Sequence, residues 1–162
     1  CGVGAARVRE GLVSFKPLEH RLEPCGEIGG VKFVNDSKAT NVDATLKALS
    51  AFAPHTAIFL LGGNDKGTDL DELVEACDAK CKAVVCFGAA GERFFDAFAN
   101  AGVKHVRAEH MEDALDTAIS MAQPGDEVVL SPACSSFDEF DSFEHRGKVF
   151  KQLVAFRANN AR

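Results

Sequence analysis

Apolar positions in this chain fall into short β-branched runs separated by stretches that repeat every three to four residues. Thr56–Leu61 (TAIFLL) and Ala83–Phe87 (AVVCF) are nearly continuous apolar runs, the pattern of strands covered on both faces. Glu127–Ser131 and the shorter Val103–Arg107 also read as strands. Leu18–Pro24 and Val31–Asn35 read as two more, forming a hairpin around Gly26, Gly29 and Gly30. Helical spacing puts Val42, Leu46 and Leu49 on one stripe within 41–52. It puts Leu70, Leu73, Val74, Cys77 and Cys81 on another within 69–81. Further helices are predicted over 3–14, over about 91–101 with Phe94, Phe95 and Phe98, and over the run marked by Met111, Ala114, Leu115, Ala118, Ile119 and Ala122. A last one spans roughly 142–157 with Val149, Leu153 and Val154 inward, and the Asn159–Arg162 tail is expected to fray. The alternation predicts a three-layer α/β sandwich with a mostly parallel sheet, right-handed crossovers and an antiparallel N-terminal hairpin at its edge.

In such a Rossmann-like sheet, ligands bind beyond the carboxyl ends of the strands. Four loops leave those ends: Asp36–Asn41, Gly62–Thr68, Gly88–Gly91 and Pro132–Asp141. In the first, Asp36 and Lys38 suit a polar ligand, the carboxylate accepting from a sugar hydroxyl and the ammonium holding a phosphate or carboxylate. The alternative is a solvated ion pair. Thr40 with Asp43 also fits a helix-capping pattern, as does Thr68 with Asp71. The second loop has paired glycines and Lys66, expected near a helix entrance where an anion is favoured, but it is not the Gly-x-x-x-x-Gly-Lys-Ser/Thr phosphate loop. The third loop offers only backbone amides. The fourth is long, with Ser135, Ser136 and small residues that permit close approach of a ligand, while Asp141 and Glu144 fit a capping box.

Composition narrows the field. The 162 residues, 46% hydrophobic, fit one domain with a sizeable core. A net charge of −6 leaves no electrostatic footprint for nucleic acid or an anionic membrane. No apolar run approaches the ~20 residues of a membrane helix, and no signal peptide is visible. Six cysteines without a Cys-x-x-Cys pair suggest a reducing cytoplasm. Cys77 and Cys81 share an apolar stripe with no histidine, which favours packing over metal binding. Nothing ties Cys134 to His145 as a nucleophile pair, and the remaining histidines form no ligand pattern. The chain starts at Cys1, so a fragment of a longer protein is expected.

His20-Arg21, Asn-Asp-Ser-Lys-Ala-Thr-Asn (35–41), Leu-Leu-Gly-Gly-x-x-Lys-Gly (60–67), Ser-Pro-Ala-Cys-x-Ser-x-Asp-x-Phe (131–140) and Phe-Glu-x-Arg-Gly (143–147) occur in this order. Together they resemble the Mur ligases, most closely the D-glutamate-adding branch. The resemblance implies that residues 1–162 form a single C-terminal domain, the N-terminal UDP-binding and central ATPase domains being absent. It also implies a reaction. ATP and Mg²⁺, the metal held mainly by the central domain, convert the carboxylate of UDP-N-acetylmuramoyl-L-alanine to an acyl phosphate, which the amine of D-glutamate attacks. Carried over residue by residue, Arg21 and Asp36 match nucleotide contacts on phosphate and ribose. Lys38 matches a catalytic lysine near the reacting phosphate, which also contacts ATP. Thr40, Lys66, Ser136, Phe137 and Phe143 match the D-glutamate site. No metal ligand is expected on this chain, and the isolated domain is expected to be inactive. A sister ligase with another amino acid, or a non-catalytic nucleotide-binding regulatory domain, are the alternatives.

Overall fold

The computed structural model describes residues 18–161, which form one six-stranded sheet. Its strands are β1 (Glu23–Ile28), β2 (Val31–Asn35), β3 (Ala57–Gly62), β4 (Ala83–Phe87), β5 (Lys104–Arg107) and β6 (Glu127–Ala133). They lie in the order β1-β2-β6-β3-β4-β5. Only β1 is antiparallel to its neighbour. The helix expected over 3–14 lies outside the described residues.

Five helices join these strands: α1 (Val42–Leu49), α2 (Asp71–Lys80), α3 (Gly91–Ala97), α4 (Met111–Met121) and α5 (Phe143–Asn160). From β2 through β3 and β4 to β5 the chain advances in one direction, and α1, α2 and α3 cover the face built by Phe59, Leu61, Val84, Cys86 and Val129. It then returns to place β6 between β2 and β3. A right-handed crossover in that direction must run over the opposite face. There α4 and α5 pack on Ile58, Leu60, Val85, Phe87, Val128 and Leu130. The predicted three-layer sandwich is therefore present, with its antiparallel hairpin at the edge. The reversal at β6 opens the carboxyl edge between β2 and β3, where a doubly wound sheet offers a crevice.

Several boundaries differ from expectation. The first strand begins at Glu23 rather than Leu18, because His20 (φ 63°) and Leu22 (φ 43°) take left-handed conformations that turn the chain. A register shift between Pro24 and Gly26 then bends this half-exposed edge strand. The last helix does not fray at Asn159 but continues to Asn160, with the Ala161 amide donating to the Arg157 carbonyl. Its buried face is Arg146, Gly147, Phe150 and Val154, whereas Val149 and Leu153 are only partly buried. Cys77 and Cys81 are core residues, as their spacing suggested.

Candidate functional site

The four loops at the carboxyl edge are stitched to one another. The Asn64 amide donates to the Ser135 carbonyl (2.9 Å), and the Ser135 hydroxyl donates back to the Asn64 carbonyl (2.9 Å). The Ala90 amide donates to the Gly63 carbonyl (2.9 Å), and the Ala89 amide donates to Asp138 Oδ2 (3.0 Å). The Ser37 hydroxyl donates to the Phe143 carbonyl (2.8 Å) at the start of α5. This closeness explains the paired glycines. A Cβ at Gly62 (φ 137°) would lie 1.9 Å from the Phe87 carbonyl oxygen, and one at Gly63 (φ 127°) 2.4 Å from the Ser135 carbonyl oxygen.

Arg146 is the centre of this lacing and is fully buried. Its Nε donates to Ser37 Oγ (2.9 Å), Nη1 to the Ser135 carbonyl (3.1 Å), and Nη2 to the carbonyls of Ser37 (2.9 Å) and Cys134 (3.0 Å). All four acceptors are neutral. Burial therefore lowers the guanidinium pKa to about 10, so it stays charged at neutral pH. One planar fork thus fixes the first loop against the fourth and leaves positive charge beneath both. Sequence reasoning assigned no role to Arg146. The available signal was its place three residues after Phe143 and four before Phe150, on the stripe that faces the sheet.

Arg21, Asp36 and Lys38 line one cleft of about 380 Å³, with Leu22, Ala39 and one side of α1 from Asp43 to Ala48 forming its other walls. Asp36 is almost wholly buried. Its Oδ2 accepts from Ser131 Oγ (2.8 Å) and its Oδ1 from the Leu22 amide (3.2 Å). Burial raises its pKa, while Ser131, Leu22 and the charge of Arg21 oppose that shift. The solvated ion pair considered for Asp36 and Lys38 does not form. Lys38 instead holds Nζ 5.6 Å from the Phe143 ring centroid.

The residues matched to the D-glutamate site lie outside that cleft's lining. Lys66 is exposed, in an irregular loop well ahead of α2 rather than at the helix entrance. Arg93 clamps that loop on both sides, pairing with Asp65 and donating to the Thr68 carbonyl. Among the described residues, neither Lys38 nor Lys66 has a carboxylate partner. Ser136 is 1% exposed and its carbonyl closes a turn, accepting from the Glu139 and Phe140 amides (3.3 and 2.8 Å). Phe137 is 69% exposed beside it, Phe143 is half-buried, and so is Thr40. Three capping expectations move by one residue each. Asn41, not Thr40, caps α1 by accepting from the Ala44 amide (2.9 Å). Asp69, not Thr68, accepts from the Asp71 amide (2.9 Å). Ser142, not Asp141, accepts from the His145 amide (3.1 Å) at the start of α5. The Thr40 hydroxyl is thereby released from the role that competed with ligand binding.

Cys134 is 2% exposed, and burial pushes its thiol up to about 12, opposite to what a nucleophile requires. His145 turns instead to Asp141 (3.3 Å) and the Phe140 ring. No described helix is long and apolar enough to cross a membrane.

The family model for "Mur ligase, glutamate ligase domain" matches residues 20–134. The UDP-N-acetylmuramoylalanine–D-glutamate ligase of Solibacter usitatus is 48% identical over 153 residues, 94% of this chain and 34% of that protein. The chain thus spans about a third of the length of the curated relatives it matches. The UDP-N-acetylmuramate-alanine ligase MurC of Thermotoga maritima shares the fold, with a TM-score of 0.69 at 15% identity over 99% of this chain and 35% of that one. So does a bifunctional folylpolyglutamate synthase/dihydrofolate synthase of Yersinia pestis complexed with AMPPNP and a Mn ion, with a TM-score of 0.61 at 17% identity over 94% of this chain and 35% of that one.

Proposed function

The chain belongs to the Mur ligase family, and from that premise we propose that it is the amino-acid-binding C-terminal domain of an ATP-dependent ligase that adds D-glutamate to UDP-N-acetylmuramoyl-L-alanine in peptidoglycan precursor synthesis. In this reading residues 1–162 are one domain of a cytoplasmic enzyme whose UDP-binding and central ATPase domains lie elsewhere in the polypeptide. The observation that carries it is the stitching of the loops bearing Lys38, Lys66, Ser136 and Phe143 into one carboxyl edge, with both lysines unpaired among the described residues. A dianionic amino acid needs that combination of cations and hydroxyls.

The cleft lined by Arg21, Asp36 and Lys38 fits one flank of ATP. Arg21 is exposed there and suits a phosphate. Each Asp36 oxygen already accepts one hydrogen bond and keeps capacity for a ribose hydroxyl. Lys38, with Nζ 5.6 Å from the Phe143 ring centroid, is assigned to the reacting phosphate, where its charge would stabilise the phosphate released when the tetrahedral adduct of amine and acyl phosphate collapses to the amide. Lys66 takes a D-glutamate carboxylate, while Thr40, Ser136, Phe137 and Phe143 shape the rest of the pocket and aim the amine. The Mg²⁺ implied by the family finds no donor set among the described residues, so no step is assigned to a metal on this chain.

The test is phosphate release and product formation by the complete polypeptide with ATP, UDP-N-acetylmuramoyl-L-alanine and single amino acids. D-Glutamate should be the substrate used. Preference for L-alanine, a diamino acid or a dipeptide would identify a sister ligase. Tight nucleotide binding by the isolated chain without any ligation by the complete protein would favour a regulatory domain.

A further inference from the structure

Two carboxylates, Asp138 and Glu139, occupy the same turn as Ser136 and Phe137. They are unexpected neighbours for a dianionic amino acid, because like charges in a shared site repel. The structure ties both of them down on other elements. Asp138 Oδ2 accepts from the Ala89 amide (3.0 Å) in the third loop. Glu139 Oε2 accepts from the Met111 amide (3.3 Å), the first residue of α4. Both also crowd Gly88. A Cβ there would meet Asp138 Oδ2 at 2.4 Å and Glu139 Oε1 at 3.2 Å. The next residue, Phe140, packs against the core cluster that contains Met111.

The turn itself is closed on Ser136, whose carbonyl accepts from the Glu139 and Phe140 amides. Movement of either carboxylate is therefore transmitted directly to Ser136 and Phe137. The same two acids supply charge compensation to Arg146, all of whose direct partners are neutral. The third loop has no ligand-binding side chain of its own, and its free amide is taken by Asp138.

We propose that Asp138 and Glu139 are positioning residues that anchor the Ser136–Phe137 turn to the Gly88 loop and to the start of α4, setting the D-glutamate pocket without touching the substrate. This rests on the D-glutamate reading above. It gives the third loop a function, as the fixed point against which the fourth is held.

The experiment compares Asp138→Ala/Glu139→Ala with Asp138→Asn/Glu139→Gln in the complete polypeptide, and follows hydrogen exchange of the same variants. The alanine pair should raise the KM for D-glutamate at least tenfold while the KM for ATP stays within about twofold. The Asn/Gln pair keeps an acceptor oxygen at each position and should recover most of that loss. Gly88→Ala, which displaces Asp138 from the opposite side, should reproduce the split, and thermal unfolding of every variant separates the KM effect from a folding defect, including the strain that alanine takes at φ 69°. Faster amide exchange across 136–140 should accompany the KM effect. An unchanged KM for D-glutamate, or equal rises in both KM values without rescue by Asn/Gln, would overturn the proposal. If the parent protein does not use D-glutamate, the functional reading fails separately. The anchor is then judged by exchange alone, and unaltered exchange across 136–140 in the alanine pair would refute it.

Discussion

Replacing Arg146 with methionine isolates the contribution of the buried fork. Methionine has similar reach and adaptable packing, so the cavity left is small. The acceptors are different: three are backbone carbonyls and cannot be removed with the arginine. Each buried acceptor that loses its donor costs about 1–3 kcal/mol, partly recovered where water enters. Three orphaned carbonyls at that cost, partly rescued by water, give an expected loss of about 3–5 kcal/mol. For a domain of this size that corresponds to a melting temperature lower by on the order of 10 °C. Arg146→Lys keeps the charge but cannot reproduce four donors in a plane, so it should fall between parent and Met variant. Urea unfolding of the three proteins, read by circular dichroism, gives the comparison. A Met variant within about 1 kcal/mol of the parent, with the same denaturant dependence, would refute the claim that Arg146 fastens the two loops.

Other consequences are open to direct measurement. Gly62→Ala should destabilise the chain by more than the ~1–3 kcal/mol of a strained backbone alone, because the new methyl meets the Phe87 carbonyl; thermal unfolding checks this. Burial raises the Glu139 pKa, so folding favours its protonated form, and that contribution is present in acid and lost as pH rises through the folded-state pKa. Glu139→Gln removes this loss, so its stability relative to the parent should improve as pH rises from the usual glutamate range through the raised folded-state pKa, as denaturation series at stepped pH would read. Cys86 and Cys134, whose thiols burial pushes up to about 12, should resist iodoacetamide in the native state and label only on unfolding, as read by mass spectrometry. Lys66→Ala in the complete polypeptide should raise the KM for D-glutamate sharply and spare that for ATP, since one substrate carboxylate would lose its cation; initial-rate kinetics decides.

What the sequence disclosed follows from how strongly each segment is constrained locally. Ala57–Gly62 and Ala83–Phe87 are buried on both faces, and their apolar runs announced them. The first strand was misplaced because its burial alternates irregularly across a bulge and its approach depends on left-handed His20 and Leu22. The capping motifs were recognised but shifted, since Thr-x-x-Asp at 40 and 68 lies beside Asn41 and Asp69, which offer better acceptors. Lys38 and Asp36 stood out because both are polar immediately beyond a buried strand. Arg146 and Asp138 did not, because their partners are mostly backbone groups on other loops, and no local pattern encodes such contacts.

In the proposed enzyme, separate loops of one sheet edge serve a single bound amino acid. Hydrogen–deuterium exchange of the complete polypeptide, with and without D-glutamate and a non-hydrolysable ATP analogue, tests this most directly. The account predicts joint protection of 36–41, 62–68 and 131–143, none at the opposite edge around Gly29–Gly30 and Pro124–Gly125, and no such pattern with L-glutamate. Protection confined to one of the three segments, or appearing at the opposite edge, would contradict it.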